Sequence, residues 1–286
     1  MTKNRATLIG FGAVLLWAFL ATLTVGATGV PAFQLSAMCF SIGGIIGLLW
    51  IAHSGNGLAP LRGINWHIWV LGIFGIFGYH FFYFTALKLA PPAEAGLIAY
   101  LWPLLIVLFS GLLPGESLKP LHIIGAMIAF AGAALIVGGG ASAFSSTNWA
   151  GYGAAVICAF TWSGYSVLSR LAGDTPTESV AIFCLAAAVL SLLAHLGLEE
   201  TIWPTGIISW GSVIGLGLGP VGLAFYIWDI GVKKGDIQLL GVASYAAPML
   251  STVILIIAGY ATASWTLLLA AVLITSGAAL AALANR

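Results

Sequence analysis

Gly96-Leu97-Ile98-Ala99-Tyr100-Leu101-Trp102-Pro103-Leu104-Leu105 is echoed 145 residues later by Gly241-Val242-Ala243-Ser244-Tyr245-Ala246-Ala247-Pro248-Met249-Leu250. The glycine, tyrosine and proline recur in register, and the same offset pairs Lys88 with Lys233 and Gly72 with Gly217. It also pairs Gly132-Ala133-Ala134-Leu135 with Gly277-Ala278-Ala279-Leu280. A shift of 141 pairs Gly10, Gly12, Ala18 and Phe19 with Gly151, Gly153, Ala159 and Phe160. Alanine and leucine identities arise by chance in apolar sequence; lysine, tyrosine and proline identities at one offset do not. The chain is therefore two copies of one unit, 1–143 and 144–286.

Lipid is the solvent for both copies. The sequence is 61% hydrophobic and 6% charged, against about 25% charged in soluble proteins. Nine Lys+Arg and eight Asp+Glu over 286 residues cannot make a water-facing surface. A net charge of +1 gives no reason to expect a nucleic-acid partner. Cys39, Cys158 and Cys184 are odd in number and follow no metal-ligand or disulfide spacing, so each reads as a small buried apolar side chain. No metal or cofactor is expected.

A span needs about 20 apolar residues, and only helices or closed barrels satisfy the backbone in hydrocarbon. The apolar runs predict an all-α integral membrane fold with helices over 6–26, 32–52, 67–88, 93–113 and 119–138, then 149–170, 177–197, 207–231, 237–258 and 264–284. Gly29-Val30-Pro31, Pro91-Pro92, Pro114-Gly115 and Trp203-Pro204 punctuate them. Basic residues favour the cytoplasmic side. With the N-terminus inside, that side holds Lys3, Arg5, Arg62, Lys119, Arg170, Lys233, Lys234 and Arg286, and the other holds only Lys88. Both termini are thus expected in the cytoplasm. The first helix is too long for a signal-peptide core and has a repeat partner, so it is expected to remain as a span.

Five spans per unit is an odd number, so the second unit must enter the membrane upside down. Inverted repeats that rock about a midplane site are the architecture of many secondary transporters. Carboxylates are absent from mid-span positions, which favours a facilitator over sodium coupling, with proton exchange through His80 as the other possibility. The competing classes fare worse. His-Glu-x-x-His, a paired-Asp site and a Walker A sequence are missing, which argues against an intramembrane protease or an ATPase. A ring of intramembrane charge, as in a channel, is missing too.

Polar groups inside spans usually face a cavity or another helix. His80, in Gly78-Tyr79-His80-Phe81-Phe82-Tyr83, is the ionisable side chain deepest in a span, and Trp102 sits at matching depth on the next helix. Tyr79, His80, Tyr83, Tyr100 and Trp102 are expected to form an aromatic layer, with Pro103 freeing a backbone carbonyl beside it. Tyr79 and Tyr83 read equally as packing. Aromatic faces stack on aromatic side chains and attract an ammonium group, so a zwitterionic amino acid would use both properties. The repeat maps this layer onto Phe225, Trp228, Tyr245 and Pro248, expected as an inner layer that closes alternately with the outer one. Trp17 and Trp162, on matching first helices, either flank the cavity or pack. Gly43-x-x-x-Gly47 and Gly211-x-x-x-Gly215-x-x-x-Gly219 read as close helix contacts within one bundle rather than a dimer seam, so a monomer is expected. Glu94 and Glu199-Glu200 read as solvated, Glu116 with Lys119 as a cytoplasmic cap, and Asp229 with Lys233 as a local ion pair.

Paired five-helix units, Pro103, the Pro114-Gly115-Glu116 behind it and Gly125/Gly132 in the fifth helix resemble the EamA domain of the drug/metabolite transporter superfamily. The resemblance covers the whole chain, although Gly259-Tyr260-Ala261 stands where the second unit would carry Gly-Glu. The aromatic content of helices three and four is similar to that of the YddG-type aromatic amino-acid exporters. The resemblance implies export of amino acids across the bacterial cytoplasmic membrane, or else of another small metabolite or drug.

Overall fold

The structure, a computed structural model, describes residues 1–55, 57–138 and 145–284. Arg286 and the 143/144 unit boundary lie outside the described residues. Among those residues the chain is helical, with no strand. The helices are α1 (Lys3–Trp17), α2 (Leu20–Gly26), α3 (Ala32–His53), α4 (Trp66–Ile73), α5 (Tyr79–Leu89), α6 (Pro92–Ala99), α7 (Trp102–Ser110) and α8 (Pro120–Val137). There follow α9 (Trp149–Leu171), α10 (Ser179–Leu198), α11 (Gly206–Leu218), α12 (Ala224–Lys234), α13 (Ile237–Ala243), α14 (Ala246–Ile257) and α15 (Trp265–Ala284).

Consecutive pieces add up to spans. Nine stretches among the described residues are long and apolar enough to cross a membrane: Lys3–Gly26, Ala32–His53, Trp66–Leu89, Pro92–Ser110, Pro120–Val137, Ser179–Leu198, Gly206–Lys234, Ile237–Ile257 and Trp265–Ala284. Exposed Leu8, Leu49, Leu193, Ile207 and Leu268 give the bundle the apolar outer face of an integral membrane protein. Helix α9 is 23 residues long but more polar, carrying Tyr152, Thr161, Ser163, Tyr165, Ser166 and Ser169. Most of those side chains are buried among other helices, where they meet protein rather than lipid.

Several stretches expected as continuous helices are interrupted. α6 ends at Ala99 and α7 restarts at Trp102, because Pro103 has no N–H to give the preceding turn. The same break recurs between α13 and α14, ahead of Pro248. π-helical turns occupy Phe74–Gly78 and Gly219–Leu223, 145 residues apart at both ends. The helices that follow them, Tyr79–Leu89 and Ala224–Lys234, keep that offset, as do the starts of α8 and α15.

Packing is mutual between the two halves. α8 lies along α15, α3 along α10 and α7 against α13, while α1 pairs with α12 and α5 with α9. The α8–α15 and α3–α10 contacts map onto themselves, and α1–α12 maps onto α5–α9, when the repeat equivalences are applied; α7–α13 has no such counterpart among the main helix contacts of the described residues. Glycines set the closest approaches. A Cβ at Gly10 would stand 2.7 Å from Gly231 Cα, one at Gly43 3.0 Å from Gly222 Cα, and one at Gly125 2.5 Å from the Gly277 carbonyl. Gly43 thus packs as expected, but Gly211 does not: a Cβ there would meet nothing within 4 Å. Cys39, Cys158 and Cys184 are free and buried.

The polar ends differ from the sequence expectation. Glu94 is fully buried and accepts a hydrogen bond from the Tyr152 hydroxyl. The Glu199 carboxylate accepts from Phe33 N (3.0 Å) and Gln34 N (3.1 Å), filling orphan amides at the start of α3, and meets His195 Nδ1 at 3.0 Å. Glu116 pairs with Arg170 rather than Lys119, whose ammonium reaches the Ala284 carbonyl. Arg170 also donates to Val232 O and Gly235 O, both at 2.9 Å, covering orphan carbonyls at the end of α12.

These contacts predict opposite outcomes for two glycines. Gly125→Leu should lower stability by about 1–3 kcal/mol through overpacking against α15, read as the melting temperature of the purified protein in detergent. Gly153→Ala, where a Cβ meets nothing within 4 Å, should be neutral or stabilising by up to about 1 kcal/mol from helix propensity.

Candidate functional site

Four tryptophans from four distant parts of the chain converge. Trp17 at the end of α1 has its ring centroid 6.0 Å from Trp102, 5.9 Å from Trp162 and 5.1 Å from Trp228. Trp102 lies 6.3 Å from Trp162 and 6.0 Å from Trp228, and Trp162 lies 6.2 Å from Trp228. All six pairs of the tetrad are therefore in ring contact, mostly edge to face, as aromatic quadrupoles prefer. Two indole N–H groups are held: Trp17 Nε1 donates to Pro220 O at 3.1 Å, and Trp228 Nε1 to Ser166 Oγ at 3.1 Å. Pro220 lies in the second π-helical turn, where backbone geometry departs from α.

A second cluster adjoins the tetrad through Trp162. Tyr79 stands 5.4 Å from Trp162 and stacks parallel on Tyr83 at 6.0 Å, one turn along α5. His80 packs edge-on against Phe40 at 5.0 Å and meets Phe225 at 6.1 Å and Tyr79 at 5.1 Å. Its Nδ1 bonds the Ile76 carbonyl in the first π-helical turn at 2.8 Å. That bond makes Nδ1 the donor and leaves Nε2 of the neutral ring as an acceptor. Phe225 closes the ring of contacts, 5.6 Å from Trp162 and 5.8 Å from Phe40.

The expected sites therefore do not all fall where the sequence reading put them. Tyr79, His80 and Tyr83 cluster as expected. Trp102 leaves that layer for the tetrad, where it touches Trp228, so these two residues are not parted into an outer and an inner layer. Pro103 is buried in the first turn of α7. Tyr245 is fully buried against Phe130, and its hydroxyl accepts from Leu104 N at 3.0 Å. It caps an amide at the start of α7 and packs apart from Phe225 and Trp228, in a core patch with Val107, Ala126, Ala129 and Ile274. Pro248, one turn on, is buried at the start of α14.

Phe40 and Tyr165 were missed. Phe40 stands in a uniformly apolar helix and its repeat mate is Leu185, so the sequence carried no signal. Tyr165 follows Trp162 at helical spacing, which was a readable cue; the rings are 5.3 Å apart.

Repeat mates differ in exposure. Tyr79, His80, Tyr83 and Tyr100 are half-buried. Their counterparts Ala224, Phe225, Trp228 and Tyr245 are 0%, 4%, 0% and 0% exposed. The first set keeps partial exposure, whereas the second is buried.

Comparison with known proteins finds relatives over the whole chain. The EamA-like transporter family matches residues 4–138 and 149–283. A protein of Ancylobacter novellus named aromatic amino acid exporter YddG is 54% identical over the full length of both chains. Proteins of the same name from Salmonella typhimurium and Escherichia coli are each 27% identical, over 100% of this chain and 99% of theirs. One solved crystal structure superposes with a TM-score of 0.95 at 55% identity, each chain covered in full.

The Tyr245 cap predicts that Tyr245→Phe, which strands the Leu104 amide, lowers stability by about 1–3 kcal/mol, measurable by thermal unfolding in detergent.

Proposed function

We propose that this chain, which belongs to the EamA-like transporter family, exports amino acids, aromatic ones foremost, across the bacterial inner membrane by alternating access. It is a multi-pass membrane transporter, not an enzyme. The observation that carries the substrate reading is the aromatic enclosure formed by the tetrad, the Tyr79–Tyr83 stack and His80. Its ring faces suit an aromatic side chain by offset stacking and the α-ammonium by cation–π attraction. His80 Nε2 offers an acceptor to the same ammonium. The relatives named as aromatic amino acid exporters support this assignment.

The proposed architecture is ten spans in two inverted five-helix repeats, 1–143 and 144–286, with α9 as the tenth span and both termini cytoplasmic. Three observations support it. Element boundaries recur at one offset, from the π-helical turns to the starts of α8 and α15. The two most extensive contacts between halves, α8 with α15 and α3 with α10, pair equivalent helices. Basic residues divide eight to one between the two sides. Both repeats lie in one chain, which supports a working monomer.

The unequal exposure of repeat mates supports a carrier caught open on one side. By the proposed topology, Tyr79, His80, Tyr83 and Tyr100 face the outside, and the fully buried Trp228 closes the cytoplasmic path within the tetrad. The tetrad then forms the floor of an outward-open cavity. Inward opening requires Trp102 and Trp228 to part, since these indoles come from different halves. With no carboxylate at mid-depth, export runs down the solute gradient.

Two measurements test this. In counterflow of radiolabelled phenylalanine by proteoliposomes, wild type should show accelerated exchange, and His80→Ala and Trp102→Ala should raise KM by about tenfold while the proteins remain folded. Unchanged kinetics in both would remove these residues from the passage. Labelling of single cysteines should put positions 119 and 170 and both chain ends on one face; any split between faces overturns the inverted layout.

A further inference from the structure

Below the tetrad, on the side proposed as cytoplasmic, α12 carries a desolvated ion pair that the aromatic passage does not use. Asp229 Oδ1 lies 2.8 Å from Lys233 Nζ, and their side chains are 1% and 4% exposed. The pair is saturated: Asp229 Oδ2 accepts from Thr177 Oγ1 (2.7 Å) and Lys233 Nζ (3.0 Å), and Lys233 donates to Thr175 O (3.0 Å). Stability does not account for it. A buried ion pair generally does no better than apolar side chains of like volume, because two charges must be stripped of water. Both residues stand on α12 one turn apart, and among the described residues their outward bonds reach only Thr175 and Thr177 in the α9–α10 connection, contacts that uncharged side chains could also make.

Its surroundings suggest another use. Lys233 walls a cleft of about 420 Å³ shared with Asp174, Thr175, Thr177, Glu178 and Lys234, a size within the range of small-molecule sites. On its other side Lys233 borders a small cavity lined by Asp229, Tyr165, Ser169 and Thr175. Tyr165 in turn packs on Trp162 of the tetrad at 5.3 Å. The pair therefore stands between a cleft at the cytoplasmic end and the aromatic enclosure.

We propose that Asp229 and Lys233 form a loading subsite for the zwitterionic head group of the substrate, Asp229 taking the α-ammonium and Lys233 the α-carboxylate. This rests on the amino-acid reading above. A zwitterion brings one charge of each sign, so when it splits the internal pair both protein charges are paired again at once. A molecule with a single charge leaves one of them buried without a partner, which is strongly unfavourable. The subsite thus reads the backbone of an amino acid and ignores its side chain, which the aromatic enclosure then selects.

The test uses the full-length protein in membrane vesicles of both orientations, inside-out vesicles presenting the cytoplasmic face to added solute. Phenylalanine uptake is competed with phenethylamine, which lacks the carboxylate, and with 3-phenylpropionate, which lacks the ammonium. At the wild-type cytoplasmic face both analogues should compete at least about tenfold less well than phenylalanine. Asp229→Asn combined with Lys233→Gln leaves no unpaired charge; it should raise the cytoplasmic-face KM by about tenfold, erase that discrimination and spare the outer-face KM. Asp229→Glu with Lys233→Arg should retain the discrimination. Equal competition by the analogues at the wild-type cytoplasmic face overturns the subsite without any variant. Slower transport on both faces of the double variant with discrimination intact makes the pair structural and also overturns it. Wild-type vesicles that carry no amino acid in either orientation remove the amino-acid reading itself, and the subsite with it.

Discussion

Within hydrocarbon no water is available to a broken hydrogen bond, so every interruption of a helix has to be repaired by protein. That constraint organises this molecule. Its helices are interrupted around Tyr100 and Tyr245 and distorted at Phe74–Gly78 and Gly219–Leu223, and the repairs come from site side chains. His80 takes the Ile76 carbonyl, Trp17 the Pro220 carbonyl, and the Tyr245 hydroxyl the Leu104 amide. Irregular backbone is tolerated at membrane depth only where it is covered by protein or lines a cavity, and here it surrounds the aromatic enclosure.

Small residues let that enclosure assemble. Gly10 against Gly231 brings α1 onto α12, and Gly43 against Gly222 brings α3 onto the second π-helical turn. With backbones this close, Trp17 and Trp228 meet from opposite halves at 5.1 Å. In lipid the hydrophobic effect does not drive helices together, so such van der Waals fits and the few interhelical hydrogen bonds carry the association. In the proposed cycle the halves part where these fits are replaceable, and edge-to-face indoles provide a contact without directional bonds between the rings.

The charged residues follow the same economy. Few as they are, Glu94, Glu116, Glu199, Asp229 and Asp236 each have a partner, and several satisfy helix ends that would otherwise be bare. Arg170 closes the end of α12 while holding Glu116, and Lys3 meets Asp236 at 3.4 Å. The end proposed as cytoplasmic is thereby stitched by charge, whereas the half-buried rings of Tyr79, His80, Tyr83 and Tyr100 stand apart from it.

Much of this was legible in the chain itself. The membrane class, the positions of the spans and the repeat follow from composition and from rare residues recurring at one offset, because a proline or tyrosine within an apolar run is costly enough to be informative. His80 stood out for the same reason. Which residues meet was not legible. Trp17, Trp102, Trp162 and Trp228 lie far apart in sequence, and apolar helices carry little information on which face meets which neighbour. Glu94 and Glu199 looked solvated because a charge near a span end is buried only if another helix brings a partner to it, whereas the local Asp229–Lys233 pair was legible and is present. Tyr100 and Tyr245 hold the same place in the repeat, yet one is half-buried and the other caps an amide out of solvent. Sequence symmetry dictates what the two halves have in common; only the packed structure decides where they differ in burial, because each repeat mate meets different neighbours.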